Sequence, residues 1–66
     1  MKTNLLKSKM VLHGDTLTTL AEILNTTVRT CWCRVNGKTS FKPEDIKKIK
    51  ERYSLSDSEV ADIFFS

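Results

Sequence analysis

Arg29, Arg34, Lys38 and Lys42 are the only charged side chains between Ile23 and Pro43, and all four are cationic. The flanking carboxylates are Glu22 on one side and Glu44 on the other. A guanidinium such as that of Arg29 can donate two parallel hydrogen bonds to guanine O6 and N7, or grip a phosphate. An ammonium such as that of Lys38 neutralises phosphate as a point charge. This segregation says more than the modest net charge of +3, because an acid-free stretch attracts a polyanion locally. Cys31-Trp32-Cys33 lies inside the same stretch. Cysteines two apart on a helix point to different sides and cannot bridge each other. Only His13 adds a further soft donor, too few for a four-ligand metal site, so one buried and one surface thiol are expected, with no metal and no cofactor. One histidine, no glycine-rich phosphate loop and no clustered carboxylates leave no inventory for an enzyme or a small-molecule substrate.

The elements that position these cations are helices. Leu17, Leu20, Ala21 and Leu24 recur at i, i+3, i+4 and i+7, which places them on one side of a helix over about Thr16 to Leu24. A second helix over about Thr27 to Asn36 carries Cys31 and Val35, four apart, as its packing seam. Between them Asn25 tolerates a left-handed backbone, and Thr26 or Thr27 can cap the next helix through its hydroxyl. Gly37 ends it. Two helices joined by three to four residues have the spacing of a helix-turn-helix. Positions 28, 29, 32 and 33 then share a face turned away from the seam.

Around this pair, residues 2 to 12 read as a first helix. Leu5, Leu6, Lys9, Met10 and Leu12 form a rough stripe, Lys2, Lys7 and Lys9 point outward, and Asn4 or Thr3 caps the start. Gly14 stops it, with His13 exposed at the end and Asp15 or Thr16 opening the next helix. Phe41 plugs the loop from Lys38 to Lys42 into the core. Pro43 opens a fourth helix, where its missing N–H costs nothing. Glu44 and Asp45 near its start and Lys50 and Arg52 near its end suit the helix dipole. Ile46, Ile49 and Tyr53 form its buried stripe, with Lys47, Lys48, Lys50, Glu51 and Arg52 solvated. Ser56-Asp57-Ser58-Glu59 matches a capping box, and Leu55 and Val60 match its hydrophobic staple. Val60, Ile63 and Phe64 face inward, leaving Phe65 for a partner. Sixty-six residues make one domain with a marginal core. No apolar run approaches the ~20 residues of a membrane span, and no secretion signal is evident, so a cytoplasmic location is expected.

The stretch LAEILNTTVRTCWCRVNGK resembles the helix-turn-helix of lambda-repressor-like (Cro/CI-type) phage regulators. Leu20, Ala21, Glu22, Leu24, Thr30, Asn36, Gly37 and Lys38 stand where that pattern expects them. KPEDIKKIKERYSLSDSEVADIFF resembles the second half of short regulators from phages of Gram-positive bacteria. The resemblance implies an all-α, five-helix lambda-repressor-like domain whose second and third helices form the helix-turn-helix. It also implies a sequence-specific regulator of transcription that binds double-stranded DNA in the host bacterial cytoplasm, at the nucleoid. In that reading Thr27 caps the recognition helix. Val28, Arg29, Trp32 and Cys33 face the bases, and Thr27, Asn36, Lys38 and Thr39 contact phosphates.

The chain departs from the pattern at five positions. Asn25 replaces a turn glycine, Thr26 an apolar residue, and Leu17 a glutamine that contacts the DNA backbone. Trp32 and Cys33 replace small or polar groups. Trp32 is bulky for a groove, and the alternative is that it folds back on Leu17 or Thr18. Arg34 falls on the far side, towards solvent. A homodimer on a palindromic operator would double the phosphate contacts, with the C-terminal helix or the loop before the fourth helix as the contact. The competing expectation is a protein-interaction module, an antirepressor or adaptor, on the same fold.

Overall fold

A computed structural model describes residues 1–65 as five helices with no strand among them. They are α1 (Thr3–Leu12), α2 (Leu17–Ile23), α3 (Val28–Val35), α4 (Pro43–Tyr53) and α5 (Asp57–Phe64). The protein is all-α, and each helix lies within a residue or two of the span its sequence predicts.

The first four helices end with one shared device. Gly14, Asn25, Gly37 and Ser54 each take a left-handed backbone, with φ of 70°, 55°, 75° and 53°. At each, two successive amides fold back onto the last turn. Asn25 N–H donates to the Glu22 carbonyl and Thr26 N–H to that of Ala21; Gly37 and Lys38 do the same to Arg34 and Cys33. The carbonyls orphaned at a helix end are thereby satisfied without solvent. In three of these turns an N-cap follows two residues later. The hydroxyls of Thr16, Thr27 and Ser56 accept from the amides of Thr19, Thr30 and Glu59. Turns this short hold consecutive helices at fixed angles, which is what a precise surface requires.

Leu6, Leu20, Cys31, Val35, Ile49 and Ile63 are fully buried, with Met10, Ala21, Leu24, Phe41, Tyr53 and Leu55 around them. α2 packs on α3, α1 touches both α3 and α5, and α4 packs on α5. Phe41 meets Phe64 edge-on at 5.5 Å between ring centroids, so the loop before α4 is pinned to the core as its one apolar residue requires.

Several expectations are corrected. α1 buries Leu6 and Met10, whereas Leu5 is exposed and Leu12 is 75% exposed. The strict i, i+4 pair wins over the broader stripe because α1 meets its neighbours along a narrow seam. Neither Asn4 nor Thr3 caps it. Lys2 holds the N-cap position without a side-chain bond, and its N–H donates to the Ile63 carbonyl at 2.8 Å, tying the start of α1 to α5. Lys9 is half-buried and pairs with Glu59 at 2.8 Å. On the outer face of α4, Lys47, Lys48, Glu51 and Arg52 are exposed as expected and Lys50 is half-buried; Lys50 pairs with Asp57, and Arg52 with Asp15. His13 is exposed at the end of α1, as expected, with its ring centroid 4.8 Å from that of Tyr53. Phe65 is also exposed as expected, at 72%, while Phe64 is half-buried.

Candidate nucleic-acid interface

α3 is eight residues long and buries only Cys31 and Val35. Its first turn is fixed by Thr27, whose hydroxyl accepts from Thr30 N–H at 3.1 Å and donates to the Thr30 hydroxyl at 2.9 Å. Thr27 is thus the cap that the resemblance implies, and Thr26 instead closes the preceding helix. Three residues of the expected set are exposed: Val28, Arg29 and Trp32. Cys33 is half-buried. The helix therefore presents an outward strip that no other helix covers. Thr27, Lys38 and Thr39 are exposed at its two ends, and Asn36 is half-buried.

Arg34 does not face solvent. Its guanidinium donates to Asp45 Oδ2 at 2.9 Å, with the two side chains 14% and 4% exposed. The same carboxylate oxygen accepts from Lys42 N–H at 3.2 Å, which caps the start of α4. Arg34 is a strut between α3 and α4. The buried position of Asp45 was not legible because a carboxylate in the first turn of a helix ordinarily faces water.

The cations divide into two groups. Lys9, Arg34, Lys50 and Arg52 each pair with a carboxylate. Among the described residues, Lys2, Lys7, Arg29, Lys38, Lys42, Lys47 and Lys48 pair with none. Arg29, within the outward strip, and Lys38, just past its end, therefore have no carboxylate partner among the described residues. Burial pushes the Cys31 thiol up, outweighing the attraction of Arg34, so this thiol stays protonated and inert.

Trp32 and Leu17 line one cavity of about 360 Å³ between α1, α2 and α3, together with Met10, Val11 and Val35. The ring is still 43% exposed. On its open side the Lys38 ammonium lies 5.6 Å from the ring centroid, within the range of a cation–π contact. Asn36 connects this end of α3 to α1. Its Oδ1 accepts from Lys7 Nζ at 2.9 Å, and its Nδ2 donates to the Trp32 carbonyl at 2.9 Å. Lys7 is a neighbour that the sequence gives no means of finding. It lies 29 positions from Asn36, in a helix whose pattern speaks only of its buried side.

No group of three or more potential metal ligands occurs among the described residues, and no helix there is long and apolar enough to cross a membrane. Comparison with protein-family models, with curated proteins and with solved structures returns no significant match to this chain.

Proposed function

We propose that the protein is a sequence-specific double-stranded DNA-binding regulator of transcription, of the Cro/CI-like type found in phages, with α2 and α3 as its helix-turn-helix. The observation that carries this reading is the uncovered strip of α3. Its cation, Arg29, has no internal partner, whereas the strut at Arg34 is neutralised inside the fold. An eight-residue helix is about 12 Å long, short enough to lie across the major groove, which is roughly as wide. Arg29 reads a guanine edge, Val28 meets a thymine methyl, and Cys33 approaches the groove floor. Thr27, Asn36, Lys38 and Thr39 hold the flanking phosphates.

One such domain makes few contacts, so two copies bind a palindromic site with half-sites one helical turn apart. Phe65, exposed beside Met1, Phe41, Ile46 and Phe64 around a cavity of about 380 Å³, supports a dimer contact at the end of α5. The test is titration of a random-sequence duplex pool with the protein across a salt series. Binding that weakens linearly on a log–log salt plot supports the reading, and no duplex binding by the folded protein ends it.

The apolar surface favours a second reading. Val11, Leu12, Val28 and Trp32 are exposed, and Val11 and Trp32 line one cavity, as on a protein-interaction module. Such a module binds a protein partner and leaves duplex DNA unbound.

A further inference from the structure

We infer that Lys7, Asn36, Trp32 and Lys38 form a built phosphate clamp at the C-terminal end of α3, with Trp32 as the platform that positions Lys38 rather than as a reader of bases. This inference rests on the DNA-binding reading above. It adds a contact from α1, and it reassigns the one tryptophan of the chain.

The end of a helix is a poor place for a phosphate, because its unsatisfied carbonyls carry partial negative charge. Here two cations offset that polarity. The Schellman turn at Gly37 occupies the Cys33 and Arg34 carbonyls, with Lys38 N–H donating to the Cys33 carbonyl at 2.9 Å. Two ammonium groups reach residues of this end, one from the turn and one from α1. Lys38 comes from the turn itself and lies over the Trp32 ring at 5.6 Å. Lys7 arrives from α1 and holds Asn36 Oδ1 at 2.9 Å. Neither ammonium meets a carboxylate among the described residues, so both charges remain available.

The arrangement is also fixed in place. A lysine side chain ordinarily loses much of its rotamer freedom when it is immobilised. Each of these two already has an anchor on the protein, the ring face for Lys38 and the Asn36 amide for Lys7. Asn36 uses its Oδ1 and one of its two N–H groups internally. The second N–H is left to donate to a phosphate oxygen. An indole serves here better than a smaller residue because it presents the strongest cation-binding face of the side chains.

The test measures duplex affinity across a salt series from 50 to 200 mM for the full chain and for variants checked by circular dichroism. Lys7→Gln, which removes one charge from each of the two copies, is expected to shallow the log–log slope by about 1.8, so that affinity falls about 12-fold less over that range. Trp32→Leu, which removes no charge, is expected to weaken binding in the natural background and to have no further effect in Lys38→Gln. Trp32→Phe keeps a ring face and retains most of the affinity. Lys47→Gln, a charge lost from the outer side of α4, leaves the slope unchanged. A natural slope in Lys7→Gln overturns the clamp. So does an equal loss from Trp32→Leu in both backgrounds, or a slope change in Lys47→Gln matching that of Lys7→Gln. If the folded natural chain binds no duplex at all, the DNA-binding reading falls, and the clamp falls with it.

Discussion

Asp15 and Arg52, 37 positions apart, meet in a two-point ion pair: Arg52 Nε donates to Asp15 Oδ2 at 3.1 Å and an Nη to Oδ1 at 2.7 Å. The neighbouring Tyr53 hydroxyl donates to Oδ2 at 2.8 Å. The carboxylate sits in the turn between α1 and α2 and is almost wholly buried, while the guanidinium is half in solvent. Three hydrogen bonds thus fasten the turn that starts α2 to the last turn of α4. Asp15 thereby ties the start of α2 to α4, as Arg34 ties α3 to α4.

Replacing Asp15 with Asn removes the charge and leaves a single oxygen to accept. The expected cost is about 1–3 kcal/mol of stability, read by urea denaturation. The Arg52 hydrogen bond holds the Asp15 carboxyl below its ordinary value of 3.8, outweighing burial, which alone would raise it; Tyr53 acts in the same direction as Arg52. A carboxyl whose folded value is depressed adds stability above its unfolded value and loses it as pH falls through the folded one. The urea midpoint of the natural chain is therefore expected to hold level from pH 7 to 5 and to fall below about pH 4. Glu59, lowered chiefly by Lys9, adds to that fall. Asp15→Asn should show a shallower acid slope, and an identical slope would remove Asp15 from this role.

Arg34 is a strut of the fold, paired with Asp45 and set apart from the proposed DNA contacts. Arg34→Met leaves Asp45 buried, with only the Lys42 amide for that oxygen. Loss of stability by about 1–3 kcal/mol is expected, with the salt slope of duplex binding unchanged. A stable variant with a shallower slope would reverse the assignment.

The sequence made the helices legible and hid the ties between them. Periodicity and caps located every element, since a glycine after α1 and α3, an asparagine after α2 and the Ser56–Glu59 box are local signals. Ser54 escaped because serine has no particular preference for a left-handed backbone; it takes that role only because Leu55 must turn inward. The exposed strip of α3 was legible from Cys31 and Val35 alone, as a seam fixes its opposite face. The roles of Arg34, Arg52 and Lys7 were not. Their partners lie 11, 37 and 29 positions away, and a long cationic side chain carries no mark of which carboxylate or amide the fold will bring to it.

Cys33 offers a footprint of the proposed interface. Cys31 is fully buried with its thiol pushed up by burial, whereas Cys33 is half-buried on the outward side of α3. A maleimide is expected to label one thiol in the native protein and both after denaturation. Saturating duplex should slow the native labelling at least severalfold. Labelling at the same rate with and without bound duplex would place the DNA elsewhere on the surface.

Whether Arg29 reads a base in the major groove is decided by selecting bound sequences from a random duplex pool with the natural chain and with Arg29→Ala. The natural chain is expected to select a palindromic site, and Arg29→Ala to lose the preference for guanine at one position per half-site, a discrimination of about 1–3 kcal/mol. Unaltered base preference with uniformly weaker binding would put Arg29 on phosphate and rule out base reading by this residue.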